Sequence, residues 1–348
     1  MKKAAIAVIG YAFAALEASA QAPAPFQGKT VNMIVGFAAG GGTDAYGRLA
    51  ASFFPKLLPG TPTFVVRNIP GAEGITAMNY IVQQVEPDGF TVAVASSTTA
   101  DPLNYRKPQS LFDATKLDVI GGAARGGEIM LISREVEKRL HDKQAAPVTM
   151  GALSGVPRSG MQMTAWGIEY LGWNAKWVIG YRGTNELMLA LERGEIDMTS
   201  SANIFLVQKL IESGKFKGVV QSGSYRNGAI VPRPEFGDAP IFAKLMEGKI
   251  KDPAGNGAFA YWSSIKSIDK WLALPPNSPK PMLELYRNAY GKMAVDAEFN
   301  ERAKKISDEF LPMSGSDVET LVQRLGSIPP EAVEASANML RKQGLPTE

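Results

Sequence analysis

The chain has 348 residues, 45% of them hydrophobic and 20% charged, which is enough apolar material for a packed core and too little charge for disorder. The 37 Lys and Arg against 34 Asp and Glu leave a formal charge of +3, without the clustered basic residues of a nucleic-acid surface, which argues against such a partner. Cysteine is absent and His141 is the single histidine, which excludes thiol nucleophiles, disulfides, iron–sulfur ligation and multi-histidine metal sites.

The first residues read as a leader. Lys2 and Lys3 precede an apolar run from Ala4 to Leu16, and Ala18-Ser19-Ala20 has the small residues a signal peptidase accepts. The run is shorter than the roughly 20 residues of a spanning helix and Glu17 ends it, so a signal peptide over 1–20 and a mature start at Gln21 are expected.

From there strand and helix signals alternate, the pattern of an α/β chain with largely parallel sheets. At roughly 100 to 200 residues per domain, the length predicts two domains. Val31–Phe37 reads as a strand and Ala38–Gly42 as a glycine turn, and Thr43-Asp44 are N-cap types opening a helix that Pro55 kinks or ends. Thr63–Val66 and Phe90–Ala95 are further strands, the second apolar on both faces, with a helix between them carrying Met78, Ile81, Val82 and Val85 on one side. His141 falls in a polar run that predicts a solvated helix or loop. Val148–Leu153, Trp177–Gly180 and Glu195–Ser201 predict strands, with helices after the first two. Arg226–Asn256 predicts irregular connection, and the chain from Ala258 onward predicts mostly helix.

Three loops carry chemistry. Gly40-Gly41-Gly42 between a strand and a helix N-terminus presents backbone N–H groups and the positive end of a dipole, a generic site for a carboxylate or phosphate. Ser96-Ser97-Thr98-Thr99 and Ser154–Gly160 also follow predicted strands, where open α/β sheets place ligands. Gly40, Gly42 and Ala45 also match G-x-G-x-x-A, so an exported α/β oxidoreductase binding a dinucleotide at Gly40–Ala45 is the alternative reading. Phosphate-loop, serine-hydrolase and zinc-protease motifs are absent. Ser267-Ile268-Asp269-Lys270 matches S-x-x-K without its companion motifs.

Val35–Asp44, Val65–Ala72 and Pro87–Thr91 resemble, in order and spacing, the Bug family, the periplasmic receptors of tripartite tricarboxylate transporters. Tyr181-Arg182-Gly183-Thr184 and Gly194-Glu195-Ile196-Asp197 resemble two later blocks of that family. The resemblance implies a type II periplasmic-binding-protein fold, two α/β lobes around a ligand cleft, with lobe 1 at 27–127 and 258–348 and lobe 2 at 128–257. It implies a periplasmic, monomeric receptor without catalysis or cofactor, closing on a small carboxylate, a di- or tricarboxylate or an aromatic acid. The partner it implies is a two-component integral-membrane permease; a signalling partner is the other possibility.

The site residues that the resemblance implies are Phe37, Ala39, Gly41, Gly42, Thr43 and Asp44 of the first loop, with Ser96 and Ser97. Ser154, Arg158, Ser159, Gly160, Thr184, Asp197, Ser200 and Ser201 are expected from the second lobe. The second loop departs from the family pattern at Val156-Pro157-Arg158, where Arg158 would pair bidentately with a carboxylate.

Overall fold

A computed structural model of the chain describes residues 24–124, 126–153, 157, 159–181, 184–306 and 310–345. The expected leader lies outside them, as do Ser154 and Arg158. The first half of the fold runs β1 (Thr30–Val35), α1 (Gly42–Leu57), β2 (Thr63–Asn68), α2 (Ile75–Gln84) and β3 (Thr91–Ser96). The single-turn helices α3 (Ser97–Ala100) and α4 (Pro102–Tyr105) follow, then β4 (Asp118–Ala124). The second sheet and its helices come from β5 (Ile129–Ser133), β6 (Val148–Leu153), α5 (Gln162–Tyr170), β7 (Ala175–Tyr181), α6 (Thr184–Glu192), β8 (Met198–Ser201), α7 (Ile204–Glu212) and β9 (Phe216–Gln221). A hairpin of β10 (Ser224–Arg226) and β11 (Ala229–Val231) leads to α8 (Phe242–Met246) and α9 (Pro253–Ile265). The chain ends with β12 (Lys270–Leu274), α10 (Lys280–Ala294), α11 (Ala297–Lys304), β13 (Leu311–Ser314), α12 (Gly315–Gly326) and α13 (Pro330–Lys342).

The two larger sheets share one topology. The first has the order β13-β4-β12-β3-β1-β2 and the second β7-β6-β8-β5-β9. In each, three consecutive strands are parallel, with Thr30 opposite Thr63 and Val148 opposite Ala175 as registers. The next strand, β12 or β5, is antiparallel to both of its neighbours. The sheets are therefore mixed rather than largely parallel, for a geometric reason. Both β12 and β5 enter their sheet from the other half of the molecule, at the edge where the parallel strands end, so they must run the opposite way. Their first residues consequently lie at that edge.

Burial follows the pattern. β3 is buried along its whole length between two helix layers. One layer packs Tyr46, Phe53 and Phe54 of α1 against Tyr286 and Phe299, and the other packs Met78 and Ile81 of α2 with Trp271 and Val318. A Cβ on Gly47 would lie 3.2 Å from Val35 and Val94, so α1 lies close against β1 and β3. The second lobe has its own core around Ile129–Ile132, Met150, Trp166 and Trp173. His141 is exposed at the end of a 3-10 turn, as its neighbours predict. Pro55 is inside α1, which ends two residues later.

Several elements differ from the sequence reading. The region after Ala258 holds β12 and β13 as well as helices, and β4, β5 and β9 were not legible as strands. The helices α9 and α13 belong to both lobes: Ala258, Trp262, Met339 and Leu340 join the second core, while Tyr261, Ala332 and Val333 join the first. Among the described residues no helix is long and apolar enough to cross a membrane.

Candidate ligand-binding cleft

In the first sheet β2 and β3 flank β1 on opposite sides, so the loops after β1 and β3 diverge and leave a crevice at the strands' carboxyl ends. The glycine loop fills one side of it. Gly40 turns the chain with φ +86°, and its N–H donates to Asp44 Oδ2 at 2.9 Å. The same oxygen accepts from Arg48 Nε at 2.9 Å, while Asp44 Oδ1 accepts from Asn68 Nδ2 at 2.8 Å. Asn68 also donates to the Phe37 carbonyl at 2.9 Å. Burial pushes the Asp44 carboxyl upward, but the bonds from Arg48, Gly40 and Asn68 outweigh it and hold the group at about 2. Asp44 is thus engaged in bracing the loop.

That bracing leaves the helix start open. Gly41 is the N-cap of the sixteen-residue α1 and no side chain caps it, and both Gly41 and Gly42 are exposed. The first N–H groups of a helix have no partner within the helix, so they face solvent here with the positive dipole end. Lys270, the first residue of β12, lies beside them. A Cβ on Gly42 would come 3.5 Å from Lys270 Cε and 3.9 Å from Nζ. Lys270 is buried and its ammonium pairs with Asp269.

Across the crevice, Ser96 Oγ is 2.8 Å from Thr98 Oγ1, and the Ser96 N–H donates to Thr99 Oγ1 at 3.1 Å. The Ser97 N–H donates to the Asp269 carbonyl at 2.9 Å, so the serine loop is tied to the segment that carries Lys270.

The second sheet repeats the arrangement around β6, flanked by β7 and β8. Its counterpart of the glycine loop ends in the 3-10 turn Ser159–Met161, which runs into α5. The Gly160 N–H donates to Glu128 Oε2 at 2.9 Å, and Ser200 Oγ donates to the same oxygen at 2.8 Å. Glu128 immediately precedes β5, the strand equivalent to β12. Its own N–H donates to Ser222 Oγ at 2.9 Å, and its carbonyl accepts from the Ser222 N–H at 2.8 Å, which ties two of the inter-lobe crossings together. Lys266 Nζ donates to the Ser222 carbonyl at 3.3 Å. Desolvation pushes the Lys266 ammonium down to about 8, against the opposing pull of Glu128. A cavity of about 10 Å³, room for roughly one water, is lined by Glu128, Gly160, Ser222 and Lys266 among others.

The expected residues thus fall into three groups. Phe37, Ala39, Gly41, Gly42, Thr43 and Asp44 come together at the first crevice with Ser96 and Ser97. Gly160 and Ser200 meet at Glu128, Ser159 is in the adjoining turn, and Thr184 opens α6. Ser201 Oγ accepts from the Asn203 N–H at 3.1 Å, ahead of α7. Asp197 is elsewhere: it precedes β8, at the edge away from the crevice, with its carboxylate on the Thr149 N–H and hydroxyl at 2.9 Å and on Arg139 at 3.5 Å. Glu128 and Lys266 are in none of the motifs, and Lys270 enters only as the last residue of the S-x-x-K match. The signal available was charge abutting an apolar run: Glu128 before Ile129–Ile132, and the Asp269-Lys270 pair before Trp271–Leu274. The strand order also counts against a dinucleotide at Gly40–Ala45. In the dinucleotide fold the second and third strands lie on the same side of the first; here β2 and β3 lie on opposite sides.

Comparison with known proteins gives the family and the fold. A family model described as the tripartite tricarboxylate transporter family receptor matches residues 56–235. A UPF0065 protein of Bordetella pertussis is 30% identical over 232 residues, covering 62% of this chain and 67% of that one. A UPF0065 protein of Cupriavidus necator is 39% identical over 90 residues, so the chain spans about a quarter of its length (26%). Among solved structures, a TctC solute-binding protein from Polaromonas aligns with TM-score 0.65 at 20% identity, covering 90% of this chain and 98% of that one. An R. palustris protein with adipate aligns with TM-score 0.51 at 16% identity, covering 92% and 99%. At such identities these two structures speak to the fold, which is that of a two-lobed solute-binding protein. The chain belongs to the tripartite tricarboxylate transporter receptor family.

Proposed function

We propose that this protein is a periplasmic receptor that captures a small carboxylate between its lobes and delivers it to a two-component membrane permease, as a monomer and without catalysis. The observation that carries the reading is the uncapped N-terminus of α1: its loop is braced by its own acid, its N–H groups are exposed, and the Lys270 ammonium lies beside them. Such a site offers donors and positive charge, and its Asp44 carboxylate is already engaged by Gly40, Arg48 and Asn68, which suits it to holding an anion. The bound adipate of the R. palustris structure has the same chemistry. The lobes are proposed to meet at the crossings near 126–128, 222–223 and 266–269, with Gly41, Gly42, Thr43, Ser97 and Lys270 on one side and Gly160, Thr184 and Ser200 on the other. Closure follows because an anion touched by both lobes lowers the energy of the closed form more than that of the open one.

The test is thermal unfolding of the chain from Gln21 against carboxylates, amino acids, sugars and nucleotides. A ligand at 100 times its Kd adds about 2.7 kcal/mol to stability. Gly41→Asp is the informative variant: Gly41 has φ −76° and ψ 166°, a Cβ there meets only the Ala38 carbonyl at 3.5 Å, and Asp is a strong N-cap. Its carboxylate takes the helix donors, so the variant should unfold no earlier than the parent and lose the carboxylate-induced shift. Lys270→Gln should weaken the same ligand at least tenfold. A shift with a dinucleotide and none with any carboxylate would overturn the reading.

A further inference from the structure

Lys270 does not meet a ligand as a bare cation. It is the first residue of β12, its side chain is 11% exposed, and its ammonium pairs with the carboxylate of its neighbour Asp269, itself 16% exposed. The Asp269 backbone is fixed from two sides. Its N–H donates to the Ala123 carbonyl at 2.9 Å, and its carbonyl accepts from the Ser97 N–H at 2.9 Å. Asp269 is therefore held between β4 and the serine loop, at the sheet edge that also carries the glycine loop. Burial, with Tyr290 and then the negative charge of Asp269, pushes up the Tyr46 hydroxyl, one turn along α1 from Gly42. An acid of the protein thus stands where Lys270 and the start of α1 come together.

We infer that Asp269 sets the affinity of the site: it is the resident counter-ion of Lys270, with which a ligand carboxylate must share the ammonium and to which the ammonium returns when the ligand leaves. The reason is the cost of a buried charge without a partner, which is high for an ammonium. A site built on Lys270 alone would recover that whole cost on binding, and would hold its ligand tightly and release it slowly. With Asp269 in place, Lys270 is paired before capture and after release. What remains to drive binding is the backbone donors of α1 and the gain of a second carboxylate over the first. A receptor that hands its ligand on needs such reversibility. This rests on the carboxylate-receptor reading above and adds to it the residue that limits its strength.

The experiment is calorimetry on the chain from Gln21 with hexanoate, benzoate, succinate and adipate. Asp269→Asn keeps the shape and removes the charge, and Asp269→Ser removes both. Either variant should bind the acid that the parent binds about tenfold more tightly, because that acid becomes the partner of a buried ammonium. Without ligand the variants should melt earlier than the parent, and with it they should gain the larger shift. If Asp269 serves only to aim Lys270, the same substitutions weaken binding. A Kd unchanged or weaker in both variants therefore overturns the proposal while leaving the receptor reading in place. A crystal structure of the parent with the acid that binds needs no variant: Lys270 Nζ should lie within about 3.2 Å of a ligand carboxylate oxygen with Asp269 still beside it. A ligand bound out of reach of Lys270 overturns the proposal as well. Binding of none of these acids, nor of any carboxylate in the wider panel, overturns the receptor reading and this proposal together.

Discussion

Asp44→Asn isolates the brace of the first loop. The parent carboxyl is held at about 2, against an ordinary value of 3.8, by bonds from Arg48, Gly40 and Asn68 that outweigh its burial. At about 1.4 kcal/mol per pKa unit this difference is worth about 2 kcal/mol as an upper limit. The Arg48 side chain is half exposed, so its share is screened and roughly 1 to 2 kcal/mol is the expected loss at pH 7. Asparagine conserves the shape but sets an N–H₂ group against either the Asn68 donor or the Gly40 and Arg48 donors. The sign is that of a carboxyl depressed on folding: the stabilisation is complete above about pH 4 and disappears as pH falls toward 2. Urea unfolding of parent and variant at pH 7, with melting curves from pH 7 to 2.5, should show a gap that closes below pH 4. A gap under 0.3 kcal/mol at pH 7, taken as roughly the limit of such comparisons, or one that stays constant with pH, would show that the loop does not depend on this charge. A stable variant with unchanged carboxylate affinity would refute the link from Asp44 to the ligand site.

Two further variants probe the contact of Lys266 with the 222–223 segment and the second core. Lys266 is desolvated down to about 8, so the unfolded chain binds its proton more tightly than the folded one and this residue makes stability rise with pH between about 8 and 10.5. Lys266→Met should therefore be about 1 to 3 kcal/mol more stable than the parent at pH 7, and melting curves from pH 7 to 10 should show the advantage shrinking. Gly167→Ala sets propensity against packing: alanine is favoured by about 1 kcal/mol in a helix interior, but its Cβ would fall 2.0 Å from the Trp173 ring. Packing should win, giving a net loss of about 1 to 3 kcal/mol in denaturant unfolding; a stabilised variant would mean that Trp173 is free to move aside.

Local signals made the parallel strands legible. Val148–Leu153 is legible to the residue, and the strands near Thr30, Thr63 and Thr91 to within about two, because apolar runs bounded by Gly, Pro and Asp turns carry their own limits. The glycine loop was legible for the same reason. The strands that were not, β4, β5, β9, β12 and β13, are set by tertiary placement. Gly121-Gly122-Ala123-Ala124 has no strand propensity; these small residues fit because Tyr290, Trp271 and Val318 press on Gly121 and Gly122. Trp271–Leu274 follows a long helix and looks like more of one. The site divided the same way: a backbone site announces itself through glycines in a row, whereas Glu128 and Lys270 acquire their positions from which way β5 and β12 must run. Asp197 shows the converse, a block that matched in sequence while its carboxylate serves the far edge of β8.

The dual packing of α13 bears on how the chain assembles. Met339, Leu340 and Leu345 complete a core whose other members lie mostly between Ile129 and Trp262, and Ala332 and Val333 complete one begun at Ile34. Gln343 then fastens the end, accepting from Trp177 Nε1 at 3.1 Å and donating to the Ala165 carbonyl at 2.9 Å. A chain emerging from its N-terminus can finish neither core until these last residues arrive, so its decisive contacts are of very long sequence separation and its folding is slow and late. The two cores are thereby joined through one helix, and neither is complete without it.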